Sequence, residues 1–137
     1  MIWNAKYETG NTQVDNEHKE IFRLVENVIE TTVGVDDAAH AAAFESTFDF
    51  LAKYTIDHFA HEEALMMESS YSGFDVHKKQ HDDFVVQVVA LRERAANNKS
   101  MKNNIDITNI IVNWLMDHVL GSDRIMAAHY REYKNQQ

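Results

Sequence analysis

In the middle of this chain Phe44, Phe48, Leu51, Thr55, His58, Glu62 and Leu65 follow one another at spacings of 4, 3, 4, 3, 4 and 3. That alternation keeps one side of a 3.6-residue helix in register for about six turns, so it commits the segment to a long helix with one inward face. Phe74, His77, His81, Phe84, Val88, Leu91 and Ala95 repeat the pattern at 3, 4, 3, 4, 3 and 4, and Ile107, Ile111, Trp114 and His118 carry it again. An earlier stripe holds Ile21, Phe22, Val25, Val28 and Ile29. With no proline and four glycines there is little to interrupt these helices.

The expected boundaries follow from local chemistry. Met1 to Asn11 mixes aromatic and polar residues without a period and reads as an ordered N-terminal arm. Asp15 is the expected N-cap of a first helix from Asn16 to Val33, stopped by Gly34. The second helix begins after Asp36 and Asp37 and runs to Glu68, and the third follows a turn at 69–73. The fourth, after a loop at 97–100, ends near Gly121, and an amphipathic tail from Ser122 to Lys134 closes the chain. The expectation is an all-α protein: one domain over residues 1–137, an antiparallel up-down-up-down four-helix bundle with an N-terminal arm and a short C-terminal helix. A helical dimerisation module would need more regular flanking charges.

The stripes are unusual for what interrupts them. His18 lies three and four residues before Ile21 and Phe22 and shares their face; His58, Glu62, His77, His81 and His118 fall within the other three stripes. A single core histidine bonded to a carbonyl is commonplace. Five imidazoles and a carboxylate aimed at one axis need partners that an apolar core lacks, and a metal supplies them. The pairs His58/Glu62 and His77/His81, each four apart, put both side chains on one face within chelating distance. Asp123, five residues after His118, would point away on a straight helix; unwinding at Gly121 would bring it back, and spacing leaves open whether it is a ligand or the cap of the tail helix. His40 and His129 read as solvated, and His61 lies at the edge of the stripe.

Composition narrows the chemistry further. The balance of 13 basic and 22 acidic residues gives −9, which repels phosphate backbones and argues against a nucleic-acid partner. The absence of cysteine removes disulfides, thiolate zinc sites, iron–sulfur clusters and cysteine nucleophiles together. No stretch approaches the ~18 apolar residues of a membrane span and the start lacks a leader pattern, so a cytoplasmic protein without a membrane partner is expected. Zinc favours four ligands, whereas a larger imidazole–carboxylate set suits iron.

The ordered set His18, then 58-HFAHE-62, then 77-HKKQH-81, then 118-HVLGSD-123 resembles the hemerythrin family, and most of all its single-domain bacterial branch. Trp3, Tyr7, Gly10 and Asp15, with Trp114-Leu115 ahead of His118, match the family pattern, and the resemblance spans nearly the whole chain. Two features depart from it: Asn16-Glu17 where a glutamine often stands beside the ligand, and the additional imidazole of His61.

The resemblance implies two iron ions (Fe2+/Fe3+) with an oxo or hydroxo bridge. His77, His81 and His118 would hold one and His18 and His58 the other, with Glu62 and Asp123 bridging; the corresponding leucine, Leu115, walls the O2 pocket. Two roughly octahedral ions offer about twelve positions, of which these groups fill about eleven. One position then stays open on the iron with two histidines, and the implied function is reversible dioxygen binding by a non-enzymatic protein, a monomer. A nitrogen-rich set supports high-valent states less well than the carboxylate-rich di-iron enzymes do. The alternatives are a di-iron oxidase and a nitric oxide or oxygen sensor; no signalling domain is expected on the chain, so a sensor's output would pass through a separate partner.

Overall fold

The computed structural model describes residues 3–34 and 36–137; Met1 and Ile2, which the expected arm includes, lie outside them. Four long helices are present, α1 (Thr12–Glu30), α2 (Ala38–Glu68), α3 (Phe74–Asn97) and α4 (Met101–His118). A five-residue π-helical turn, Val119–Asp123, joins α4 directly to α5 (Arg124–Asn135), and no strand occurs among the described residues. Helix α1 packs on α2 and α4, and α3 packs on α2 and α4, which closes the ring of an up-down-up-down bundle.

The helix caps show where local reading succeeds and where it slips. Helix α2 begins after Asp37 as expected, and Asp37 is its cap, its carboxylate accepting from the backbone N–H of His40 at 2.9 Å. The cap of α1, however, is Asn11, whose side chain accepts from the N–H of Val14 at 3.0 Å, so the helix starts four residues before Asn16. Asp15 is buried in the first turn and faces backwards. Its carboxylate accepts from the backbone N–H and hydroxyl of Thr9, at 2.8 and 2.7 Å, and from the N–H of Gly10 at 3.3 Å. It pins the arm to the bundle rather than starting the helix. Gly10 allows that turn: its φ is +89°, and a Cβ there would strike the Arg131 guanidinium, which donates to the Thr9 carbonyl.

The far end of α1 also differs, because the helix stops at Glu30 rather than Val33. The Thr31 and Thr32 hydroxyls donate back to the carbonyls of Val28 and Ile29, at 2.6 and 2.7 Å, and turn the chain before Gly34 is reached.

Along the axis the stripes sort into layers. A large apolar layer contains Val25, Val28, Phe44, Phe48, Leu51, Val88, Leu91, Ala95, Ile107 and Ile111, all buried. A small one, Val14, Met66 and Met126 with Leu65, Tyr71 and Phe74 against it, lies towards the other end. In every helix the polar stripe residues fall between the two: His18 between Val14 and Ile21, Glu62 between Phe59 and Met66, and Asp123 just before Met126. The imidazoles and carboxylates are thus sealed above and below by hydrocarbon.

Candidate metal centre

Each helix delivers its polar residues because the 4,3 stripe continues unbroken through them. His18, His58, His77, His81, His118, Glu62 and Asp123 all converge, and all are buried, with Glu62 at 0% and Asp123 at 1% exposure. Their ligand atoms form two sets in which every atom lies within 4.8 Å of the others: His77, His81 and His118 with Glu62 and Asp123, and His18 and His58 with the same two carboxylates. Both carboxylates belong to both sets.

The placement of Asp123 rests on the π-turn rather than on the unwinding expected at Gly121. An i→i+5 turn is wider than an α-turn, so the residue five positions after His118 returns to nearly the same face. Asp123 Oδ1 consequently lies 2.9 Å from His118 Nε2 and 3.2 Å from His77 Nε2, while Oδ2 lies 3.0 Å from His18 Nε2. Gly121 has a negative φ, with open space where a Cβ would sit.

The inward atoms lack ordinary partners. Nε2 of His18, His58 and His77, both oxygens of Glu62 and both of Asp123 are buried without a hydrogen bond. Nε2 of His81 and of His118 face each other at 3.0 Å. Buried polar atoms left this way are costly, and so many in one place signal a group that all of them address. Two of the outward atoms, by contrast, are fixed, while Nδ1 of His18 is buried without a hydrogen bond. His58 Nδ1–H donates to Glu17 Oε1 and His81 Nδ1–H to Glu63 Oε2, both at 2.8 Å. That hydrogen on Nδ1 leaves Nε2 bare, the tautomer a metal-ligating imidazole needs. The donor set therefore fits two imidazole-rich, carboxylate-linked cations.

The electrostatics show what the cluster does with protons when they take a cation's place. Burial opposes a charged His58, yet the charge of Glu62 and the bond to Glu17 outweigh it, and its pKa is pushed up to about 10. Burial opposes His77 in the same way, and the carboxylates of Asp123 and Glu62, 3.2 and 3.6 Å from its Nε2, lift it to about 9. His18 rises for the same reasons. Glu62 and Asp123, which burial alone would raise, are held well below the usual carboxylate range by the imidazoles facing them. Positive charge is wanted here, and protons are one way to provide it.

Aromatic rings enclose the cluster. Phe59 stacks on His81 with centroids 3.8 Å apart, and Trp114 stacks on His118 at 4.6 Å and on Phe84 at 4.0 Å. Trp3 and Tyr7 of the arm pack edge-on against Phe22, one turn from His18. Leu115 is buried in the apolar layer with Phe59.

The remaining histidines stay out of the cluster. His40 bonds its own helix cap through Asp37 at 2.9 Å. His129 is half-buried and donates to the Ser69 carbonyl at 3.0 Å, so it is not the solvated residue that its polar surroundings suggest. His61 is exposed and donates to Glu17 at 2.6 Å. The carboxylates of Glu17 and Glu63 escaped the stripe argument because each adjoins a stripe residue and so projects sideways, towards the neighbouring helix.

The family model of the hemerythrin HHE cation binding domain matches residues 9–130. The chain belongs to the hemerythrin family. It is 29% identical over 123 residues to the bacteriohemerythrin of Pseudomonas aeruginosa, covering 90% of this chain and 76% of that protein. It is 30% identical over 121 residues to the myohemerythrin of Theromyzon tessulatum, covering 88% and 86%. The crystal structure of a wild-type hemerythrin superposes with a TM-score of 0.82 at 26% identity, over 95% of this chain and 97% of that one. The resemblance carried by the histidine pattern is thus matched in sequence and in fold, and the family implies a non-haem di-iron centre at the cluster.

Proposed function

We propose that this hemerythrin binds dioxygen reversibly at a non-haem di-iron centre, as one domain over residues 1–137 acting as a cytoplasmic monomer. The observation that carries the reading is the pair of donor sets, three imidazoles and two, that share both carboxylates while most of their inward atoms lack hydrogen bonds. His77, His81 and His118 would hold one iron, His18 and His58 the other, and Glu62 and Asp123 would serve both, alongside an oxo or hydroxo bridge. Iron cycling between Fe2+ and Fe3+ supplies the electrons and the coordination position that dioxygen needs.

The protein's part is to position and to exclude. Unequal numbers of imidazoles would make the two irons inequivalent and would leave the His18/His58 side for a small ligand. Leu115 serves as a wall of the O2 pocket, and the aromatic rings and the two apolar layers keep water and anions from competing there. The ring nitrogens and carboxylate oxygens facing the centre would hold the cations, and reversible dioxygen binding requires no general base.

Purified protein reduced without oxygen, aerated, then flushed with inert gas tests this. Absorbance that appears on aeration and vanishes on flushing over repeated cycles is expected. Steady consumption of reductant with oxygen would make the protein an oxidase instead.

A further inference from the structure

The two outer carboxylates are held differently. Glu63 accepts from Nδ1 of His81 with Oε2, while its Oε1 lies 3.7 Å from the Lys78 ammonium, which offsets its charge. Glu17 accepts from Nδ1 of His58 with Oε1 at 2.8 Å and from Nδ1 of His61 with Oε2 at 2.6 Å. Among the described residues no lysine or arginine pairs with it. Glu17 comes from α1 and the two histidines from α2, so the carboxylate straps the helices together. It also joins a ring that is 51% exposed to one that is 2% exposed and faces the metal position.

An anionic acceptor on Nδ1 fixes the tautomer and raises the electron density on Nε2, which strengthens the imidazole as a donor to a metal. A stronger donor stabilises the oxidised ion more than the reduced one. Lys78 weakens this influence at Glu63, whereas His61, by occupying Oε2, keeps the Glu17 carboxylate turned towards His58 without a fixed countercharge. We propose that Glu17, steadied by His61, is a positioning residue that makes His58 a strong donor and so favours the oxidised state of the His18/His58 iron. This rests on the di-iron reading above.

The test compares the iron-loaded parent with Glu17→Gln, which keeps an acceptor of the same shape without the charge, with His61→Ala, and with Glu20→Gln, which removes a carboxylate one turn away that pairs with Arg23. Glu17→Gln is expected to keep two irons and raise the midpoint potential. At fixed potential the oxidised-to-reduced ratio falls about tenfold, equivalent to about 59 mV for one electron. His61→Ala shifts it the same way by less, and Glu20→Gln leaves it at the parent value. A second readout needs no metal: in metal-free protein labelled at histidine nitrogen, the His58 Nδ1–H is slow to exchange in the parent and fast in Glu17→Ala. Equal potentials in Glu17→Gln and Glu20→Gln, or unchanged exchange in Glu17→Ala, overturn the proposal. A parent that holds fewer than two irons overturns the di-iron reading instead, and the exchange measurement still decides whether Glu17 holds His58.

Discussion

The two halves of the bundle use the same helices and the same 4,3 stripe for opposite ends. Around Phe44, Phe48, Val28 and Ile107 the stripe is hydrocarbon, fully buried and complete in itself. A few turns along, the same faces carry His18, His58, Glu62, His77, His81, His118 and Asp123, equally buried, with most of their inward atoms lacking a hydrogen bond. Periodicity sets what is inside; residue type decides whether the inside is finished. The apolar layer can anchor a fold that the polar layer, left to itself, would loosen.

Metal removal is the strongest way to break that comparison. If iron completes the polar layer, a metal present at a thousandfold excess over its Kd contributes about 4 kcal/mol. Stripping it is then expected to lower the melting midpoint by roughly 15 °C for a chain of this size. Identical melting of stripped and loaded protein would mean that the layer stands without metal. Phe44→Ala attacks the other half: a cost of about 3–5 kcal/mol is expected in denaturant unfolding, with iron per chain unchanged. Loss of iron from that variant would show that the two layers are not separable.

Leu115→Ala lies where the halves meet. It is expected to cost about 2–5 kcal/mol, retain both irons, and shorten the life of the oxygenated form in stopped-flow decay, compared with Leu91→Ala deeper in the apolar layer. Equal decay in the two would remove Leu115 from the O2 pocket.

Acidity should separate loaded from stripped protein by the sign of the slope. In stripped protein the raised imidazoles contribute stability that is complete below the ordinary histidine value of ~6.5 and fades as pH rises through about 9 for His77 and about 10 for His58. The lowered carboxylates contribute above about pH 4 and lose their contribution in acid. Metal, in contrast, requires neutral imidazoles, so near pH 7 its apparent affinity is expected to rise about tenfold per pH unit for each proton it displaces. Calorimetric melts and competitive metal titrations between pH 6 and 9 check both slopes. The smallest effect belongs to His129→Ala, which removes the bond to the Ser69 carbonyl at a cost of about 1 kcal/mol. Iron content should not change.

Much of this was legible because a helical stripe reports direction. His58, Glu62, His77 and His81 could be placed on the axis by spacing alone, and the long helices around them followed from the same count. Asp123 could not, because a π-turn has no signature in residue type: Gly121 suggested a break, and the chain instead widened by one residue and carried on. Asp15 and Asn11 are both competent caps. Which of them serves depended on Thr9, a contact made only when the arm folds back. Glu17 was visible as a departure beside His18, but its bonds to His58 and His61 exist only once α1 lies against α2.

The central claim is that the polar layer is a site for two irons, and diffraction from crystals of the loaded protein at the iron absorption edge tests it most directly. The account predicts two anomalous peaks, one touching Nε2 of His77, His81 and His118, the other touching His18 and His58, and both touching Glu62 and Asp123. A single peak, or a single zinc ion held by four of these side chains, would contradict it.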